Sequence, residues 1–304
     1  MSKIAFVFPG QGAQYVGMGK DFYDNSNEAK KLIDKASEIG NINMAQLCFE
    51  ENDDLNITKY TQIAMLTVCS AILKEIQTRG IKPQVCAGLS LGEYSALVAS
   101  NVISFEDAYK IVQKRGAFMQ EAVPVGGAMS AVLGMAADKI EEICSNTQGL
   151  VQIANYNCPG QIVISGEKEA VDAAGSALIE AGAKRVVKLN VSGPFHSKML
   201  EGAGKKLRAV LEDVNINEVT IPYVSNVTAD YVVDKASVIE LLEKQVSSSV
   251  KWQQSIEKML ADGVDTFIEI GPGKTLCGFI KKINKEVNAI NIDKYEDLEK
   301  LANI

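Results

Sequence analysis

A strand, a tight turn and a helix are predicted to follow one another in residues 85–100, which read VCAGLSLGEYSALVAS. Residues 85–89 are a short apolar run typical of a buried strand, and residues 92–100 are predicted to be the following helix. The GxSxG turn between them permits a sharp bend that leaves the Ser90 hydroxyl at a helix N-terminus, where free N–H groups favour an oxyanion. The stretch predicts an α/β fold with a nucleophilic serine, although GxSxG also arises by chance in glycine-rich turns.

Apolar runs on both sides of this stretch extend the same pattern. Residues 4–8 and 266–270 are continuous apolar runs ended by Pro9-Gly10 and Gly271-Pro-Gly273, so both are predicted to be buried strands. One face of an amphipathic helix is predicted from apolar residues spaced by three and four, namely Ile63, Leu66, Cys69, Leu73 and Ile76. Alternating strands and helices indicate a mainly parallel sheet covered by helices.

The middle of the chain has a different order of elements. The patterns predict a strand, helix, strand, strand, helix and strand at residues 129–133, 137–145, 151–155, 161–165, 167–181 and 185–189. This βαββαβ order is typical of a ferredoxin-like arrangement. Gly126-Gly127 marks its predicted start and Ser192-Gly193-Pro194 its predicted end.

We therefore predict an α/β protein with two domains. A large α/β-hydrolase-like domain with a mainly parallel sheet comprises residues 1–124 and 192–304, and a small ferredoxin-like βαββαβ domain comprises residues 125–191. The cleft between two such domains is the expected place for the functional site.

Three further residues are candidates for the site. His196 is the only histidine among the 304 residues, so a Ser–His mechanism offers no other base for Ser90, although a lone histidine is commonly an ordinary surface or core residue. Arg115 suits a clamp for a substrate carboxylate, but beside Lys110 and Lys114 it also fits a solvated helix charge. Gln11, between two glycines after the first strand, could bring its backbone N–H close to Ser90 as an oxyanion donor.

Composition restricts the possible partners. The net charge of −7 argues against a nucleic-acid or anionic-membrane binder, since such proteins are usually basic. The six cysteines are dispersed and lack a CxxC pair, which predicts buried thiols in a reducing compartment rather than a disulfide framework or metal site. Neither a signal peptide nor a membrane-spanning run is recognisable, so a cytoplasmic location is expected.

Several segments, in order over essentially the whole chain, carry a resemblance to a known family. They are Phe8-Pro-Gly-Gln-Gly-Ala-Gln14, Gly88-Leu-Ser-Leu-Gly-Glu-Tyr-Ser-Ala-Leu97, Gln113-Lys-Arg-Gly116, Met119-Gln120, Ala154-Asn-Tyr-Asn-Cys-Pro-Gly160, Gly193-Pro-Phe-His196 and Glu269-Ile-Gly-Pro-Gly273. The sequence resembles the malonyl-CoA:acyl-carrier-protein transacylases of bacterial type II fatty-acid synthesis. The resemblance implies ping-pong transfer of a malonyl group from malonyl-CoA to the phosphopantetheine thiol of the carrier protein.

The resemblance also implies roles for particular residues. Ser90 is expected to be the acylated nucleophile and His196 its base, with Gln11 and Leu91 as backbone oxyanion donors. Arg115 is expected to clamp the malonyl carboxylate.

The resemblance also bears on the roles of two more positions, Gln245 and Leu89. The carbonyl of Gln245 is expected to orient His196 in place of a triad carboxylate. Many members of the family have histidine where this chain has Leu89, so any help that this histidine gives in those members is absent here.

The implied partners are malonyl-CoA and holo-acyl carrier protein, with no separate cofactor or metal and with a monomer as the expected oligomeric state. Lys184, Arg185 and Lys188 are candidate contacts for coenzyme A phosphates or the carrier protein, although solvated edge charge is the favoured explanation of each. A serine thioesterase or hydrolase, and a non-catalytic module that docks carrier proteins, remain alternatives. The residues do not distinguish a fatty-acid carrier from a polyketide carrier.

Overall fold

Two β-sheets and the helices around them make up the described part of the chain. The computed structural model describes residues 2–191 and 193–304. The strands of this part are β1 (Ile4–Phe8), β2 (Val85–Gly88), β3 (Gly127–Leu133), β4 (Val151–Cys158), β5 (Gln161–Glu167), β6 (Arg185–Lys188), β7 (Tyr223–Val224), β8 (Tyr231–Val232), β9 (Thr266–Ile270) and β10 (Asn288–Ile292).

The α-helices of residues 2–191 and 193–304 are α1 (Lys20–Asn25), α2 (Asn27–Gly40), α3 (Met44–Phe49), α4 (Thr58–Thr78), α5 (Gly92–Ala99), α6 (Phe105–Ala122), α7 (Ala137–Asn146), α8 (Lys168–Glu180), α9 (Glu201–Glu212), α10 (Val238–Gln245), α11 (Trp252–Ala261) and α12 (Thr275–Ile283). Short 3₁₀ helices lie between several of them.

The larger sheet is built from both ends of the chain. Its strand order is β10-β9-β1-β2-β7-β8, and every neighbouring pair is parallel except β7 and β8. The parallel register pairs Phe8 with Gly88, so the loop after β1 lies beside the turn after β2. The predicted strands at residues 4–8 and 266–270 and the mainly parallel sheet are confirmed.

The smaller sheet holds the middle of the chain. Its order is β4-β5-β3-β6 with antiparallel pairs throughout, and its elements follow the predicted βαββαβ order. Val132 and Ile164 pack with helices α7 and α8, whereas Met129 and Val163 belong to the core of the larger sheet. Successive strand residues point to opposite faces, so one face of this sheet carries its helices and the other faces the larger part of the protein.

Helix α4 corrects one prediction. The spacing of apolar residues predicted a single buried face, but the helix is buried on nearly every side from Thr61 to Leu73 because α2, α5 and α6 all pack against it. The buried hydroxyls of Thr61 and Thr67 are not left without a partner, because each donates to a backbone carbonyl one turn earlier in the helix. A helix that is surrounded on all sides has no face toward solvent, so its sequence lacks the polar stripe of an amphipathic helix.

Two stated predictions fall on residues without a structural description. Met1, the first residue of the predicted large domain, and Ser192, in the predicted end of the small domain, lie outside the described residues. Across the described ranges, no helix combines the length and the apolar character needed to cross a membrane.

Candidate active site

Ser90 lies at the turn between β2 and α5, in a left-handed backbone conformation with φ of 53°. The two glycines of the turn are required by close packing. A Cβ atom at Gly88 would lie 1.9 Å from the carbonyl carbon of Gly92, and one at Gly92 would lie 2.1 Å from the carbonyl oxygen of Phe8. The local sequence therefore explains why the chain can bend here and present the hydroxyl above the carboxyl edge of the sheet.

His196 follows the smaller sheet and meets Ser90 across the fold. Its Nε2 lies 2.7 Å from Ser90 Oγ, and its Nδ1 lies 2.9 Å from the backbone oxygen of Gln245. A carbonyl oxygen can only accept a hydrogen bond, so Nδ1 carries the proton and Nε2 is left to accept the Ser90 hydroxyl proton. The pair has the geometry of a nucleophile and its general base, with a neutral carbonyl in the position of the triad carboxylate.

The imidazole is held in its neutral form. Burial first, and the positive charge of Arg115 second, lower the pKa of His196 from 6.5 to about 4. No carboxylate of the described residues contacts the ring to stabilise an imidazolium. The histidine is therefore a free base throughout the neutral pH range, ready to accept a proton from Ser90.

Arg115 projects from α6 into the same site. Its side chain is only 1% exposed, and its Nη2 donates to Ser90 Oγ at 3.2 Å and to Gln245 Oε1 at 3.0 Å. Nη1 donates to Gln62 Oε1 at 2.8 Å, and the ring of Tyr94 lies 5.3 Å from the guanidinium carbon. No carboxylate of residues 2–191 and 193–304 forms an ion pair with Arg115. A buried guanidinium held only by neutral groups has the chemistry needed to bind an anionic group, so the predicted role of Arg115 stays a prediction that this geometry supports.

The backbone N–H groups of Gln11 and Leu91 border the nucleophile. The loop after β1 lies so close to the turn that a Cβ at Gly10 would be 2.4 Å from the carbonyl oxygen of Leu89. The side chain of Gln11 is occupied with Thr58, and neither N–H donates to any other group of the described residues. Both residues line the cleft with Ser90, and unpaired N–H groups there are compatible with the predicted oxyanion hole, which stays a prediction.

Three functional candidates were missed in the sequence. Gln62 accepts from Arg115, and Asn226 accepts from the backbone N–H of Ser90 at 2.7 Å, but no local pattern singles out either residue. Glu93 lies in the first turn of α5 and is fully buried. A signal for Glu93 was available, because it is the one charged residue in the stretch GEYSALVA at residues 92–99.

A cleft of about 680 Å³ runs over these groups between the two sheets. Ser90, Arg115 and His196 line it from the larger part of the protein, and Asn155 and Asn157 line it from the smaller sheet. Leu89 is half-buried along the same wall. The cleft therefore offers an apolar and amide-lined approach to the nucleophile, which suits an extended substrate with a few polar groups.

The structure does not bring the predicted basic residues to this cleft. Lys184, Arg185 and Lys188 are exposed at the edge strand β6, and none of them lines the cleft. Lys188 Nζ lies 2.7 Å from Asp172, so part of this charge is already paired at the surface. Exposed pairs of this kind contribute little stability.

The fold and site define the class of protein as an acyltransferase, and the acyl transferase domain family matches residues 5–297. The malonyl CoA-acyl carrier protein transacylase of Bacillus subtilis is 47% identical, with 98% of this chain and 96% of the relative covered. The chain belongs to the family of malonyl CoA-acyl carrier protein transacylases, which confirms the resemblance carried by its motifs.

Solved structures agree with this assignment. The transacylase from Clostridium perfringens has a TM-score of 0.96 and 48% identity, with 99% of this chain and 96% of that one covered. A second neighbour, a malonyl-transacylase in complex with the holo type II PKS acyl-carrier protein AntF, has a TM-score of 0.97 and 37% identity, with 99% of each chain covered. These neighbours share the mixed-sheet α/β fold over the whole chain.

Proposed function

We propose that this enzyme transfers a malonyl group from malonyl-CoA to the phosphopantetheine thiol of an acyl carrier protein, through a malonyl ester on Ser90. The observation that carries the proposal is the buried guanidinium of Arg115, 3.2 Å from Ser90 Oγ and without an ion pair to any described carboxylate. Malonyl differs from acetyl by one carboxylate, which is the group that such a guanidinium binds in a two-pronged contact.

The first half of the reaction acylates the enzyme. His196 Nε2 takes the Ser90 proton while Oγ attacks the thioester carbonyl carbon, and the resulting oxyanion accepts from the N–H groups of Gln11 and Leu91. One such donor lowers a barrier by about 3–4 kcal/mol. The carbon–sulfur bond then breaks, and the imidazolium returns its proton to the departing coenzyme A sulfur.

The second half reverses these steps with a different thiol. His196 takes the proton of the carrier's phosphopantetheine thiol, and the sulfur attacks the malonyl-Ser90 carbonyl. The carbon–oxygen bond breaks, and Ser90 Oγ recovers the proton from His196. The chemistry uses only groups of this chain and its two substrates. The carbonyl of Gln245 keeps the imidazole in the required tautomer in both halves.

Several finer assignments are part of the same proposal. We interpret residues 1–124 and 192–304 as one α/β-hydrolase-like domain and residues 125–191 as a ferredoxin-like domain, supported by the antiparallel order β4-β5-β3-β6. We assign Lys184, Arg185 and Lys188 to contacts with the acidic carrier protein outside the cleft, supported by their exposure. A monomer and a cytoplasmic location stay predictions.

The test is incubation with malonyl-CoA, followed by intact mass and peptide mapping. One malonyl group on the peptide with Ser90 is expected, and none in the Ser90→Ala variant. Addition of holo-carrier protein should then discharge the ester onto the carrier faster than water does. An acyl group that persists in Ser90→Ala would refute the assignment of the nucleophile, and equal turnover without carrier would identify a thioesterase instead.

A further inference from the structure

Glu93 is a fully buried carboxyl group one helical turn from the nucleophile that the mechanism above does not use. Its Oε2 accepts two hydrogen bonds, from Gln245 Nε2 at 2.8 Å and from the backbone N–H of Asn226 at 3.1 Å. Its Oε1 has no partner among the described residues. Both donors come from other parts of the fold, so the carboxyl does not simply cap its own helix.

Each of the two donors holds part of the catalytic site. Asn226 accepts from the Ser90 N–H and donates to the Gly88 carbonyl, both at 2.7 Å, so it brackets the nucleophile turn. Gln245 donates to the Ser90 carbonyl at 2.9 Å and accepts from Arg115 at 3.0 Å, while its backbone oxygen holds His196. The nucleophile, the base and the anion receptor therefore meet through these two residues.

The orientation of the Gln245 side chain depends on its neighbours. An amide can present either oxygen or nitrogen to a given partner, and Arg115 has only donors. The Glu93 carboxylate and the Ser90 carbonyl can only accept, so together they require the amide nitrogen on their own side. This leaves the amide oxygen of Gln245 on the side of Arg115, where the guanidinium needs an acceptor.

We propose that Glu93 is a positioning residue for malonyl transfer, which fixes the Gln245 amide toward Arg115 and holds Asn226 against the nucleophile turn. The proposal rests on the proposed function, because it assigns to Arg115 the binding of the malonyl carboxylate. It predicts that loss of the Glu93 acceptor harms malonyl transfer more than acetyl transfer.

The protonation of Glu93 supplies a readout that a purely structural role would not move. Burial is the main cause that raises the pKa of Glu93 from 4.5 to about 7, while Gln245, Asn226 and Arg115 favour the carboxylate. The phenols of Tyr94 and Tyr223 are the other titratable groups facing it. As the pH rises through about 7, Glu93 becomes an anion that binds both donors more strongly, so the acylation rate should rise severalfold.

The experiment measures the rate of acyl-Ser90 formation from malonyl-CoA and acetyl-CoA on both sides of neutrality in wild type, Glu93→Gln and Glu93→Ala. Glu93→Gln keeps an acceptor oxygen but cannot ionise. We therefore expect an acylation rate within a few-fold of wild type, without the rise in rate as the pH passes through neutrality. Glu93→Ala should lose roughly tenfold to a hundredfold on malonyl-CoA and less on acetyl-CoA. The proposal would be overturned if the acylation rate of Glu93→Gln still rose as the pH passes through neutrality. An unchanged preference for malonyl-CoA over acetyl-CoA in Glu93→Ala would also overturn it.

Glu269→Gln is the matched control. Glu269 is also a buried carboxyl whose pKa rises to about 7 through burial, but it accepts from the N–H groups of Leu276 and Cys277 and contacts none of the catalytic side chains. This variant should keep both the rise in acylation rate near neutral pH and the preference for malonyl-CoA over acetyl-CoA. If Glu269→Gln also loses the change in rate near neutrality, as Glu93→Gln is expected to, general destabilisation is the cause and the assignment to Glu93 is wrong.

A second readout needs no substrate and separates this proposal from the proposed function. His196 is the single histidine, so its imidazole NMR signals are unambiguous. Glu93→Ala should change the signals of the His196 ring, because the Gln245 amide nitrogen loses one of its two acceptors, whereas Glu269→Gln should leave them as in wild type. Unchanged signals in Glu93→Ala would refute the positioning role, while absence of malonyl-Ser90 in wild type would refute only the function.

Discussion

At the residue scale, neither the imidazole of His196 nor the guanidinium of Arg115 contacts a carboxylate of the described residues. His196 faces the carbonyl of Gln245, and Arg115 faces the amide oxygens of Gln62 and Gln245. The positive charge of Arg115 is therefore poorly compensated before substrate binds, and His196 stays neutral. A malonyl carboxylate would neutralise Arg115 and, by removing one cause of the low pKa of His196, make that histidine a stronger base.

Replacement of Arg115 tests the anion receptor. Arg115→Ala leaves the malonyl carboxylate buried and unpaired, which should cost about 3–5 kcal/mol and lower kcat/KM for malonyl-CoA a few hundredfold or more. Acetyl transfer should hold or rise, because acetyl has no carboxylate and His196 becomes more basic. Arg115→Lys should restore malonyl transfer only in part, since an ammonium cannot form the two-pronged contact. Equal loss on both thioesters would contradict the receptor role.

The pH dependence of His196 can be measured directly. Because its pKa lies at about 4 in the folded protein, the imidazole NMR signals should remain those of the neutral ring near pH 6.5. Below the severalfold change expected from Glu93 near pH 7, acylation should be lost as the pH falls through about 4. Arg115→Ala should move the titration upward, toward 6.5. His196→Ala should lower the acylation rate roughly a thousandfold or more. A wild-type midpoint near 6.5 would disprove the lowered pKa.

At the element scale, the turn between β2 and α5 depends on contact with the loop after β1. Gly92 begins α5, and the backbone of Phe8 fills the space where a side chain would stand. Ser90 and His196 both adopt positive φ, with values of 53° and 58°. Such conformations cost about 1–3 kcal/mol each, so the packing of the surrounding elements must hold both residues in place.

A pair of glycine substitutions tests this contact. Gly92→Ala would drive its methyl group into the Phe8 carbonyl, so we expect a free energy of unfolding lowered by about 2 kcal/mol or more and a large loss of acylation. Gly278→Ala is the control, because this exposed glycine in α12 has open space for a Cβ and should stabilise the protein by about 0.5–1 kcal/mol. Urea unfolding measures both, and wild-type stability in Gly92→Ala would refute the close approach.

At the scale of the whole molecule, three buried groups contribute most to the dependence of stability on pH between about pH 4.5 and 7. Glu93 and Glu269 each have a pKa raised from 4.5 to about 7, so between these values the folded protein binds protons that the unfolded chain has lost. His196 has the opposite effect, because its pKa of about 4 lies below the unfolded value of 6.5. The two carboxyls outweigh the histidine, and stability should fall as the pH rises.

The size of this effect can be predicted. Each unit of pKa difference corresponds to about 1.4 kcal/mol, so the net loss of unfolding free energy between about pH 4.5 and 7 should be about 3 kcal/mol. Urea unfolding at a series of pH values measures it. Glu93→Gln and Glu269→Gln should each make the unfolding free energy fall less steeply with pH. A wild-type unfolding free energy that rises with pH across this range would contradict the burial of the two carboxyls.

Much of this protein could be predicted from its sequence because the relevant forces are local. The strand, turn and helix at residues 85–100 follow from an apolar run and two glycines, and the βαββαβ order follows from periodicity and turn residues. His196 was a candidate base because the chain has no other histidine, and the family followed from motifs in order along the chain.

Other features were decided only by tertiary structure, because they depend on groups far apart in the chain. The burial of Arg115 follows from the packing of α4 and α6, whereas its own helix also suggested a solvated charge. Glu93 meets Gln245, 152 positions later, and Asn226 reaches Ser90 across 136. Periodicity reports which residues are buried in one element, but a hydrogen bond between buried side chains exists only after several elements have packed together.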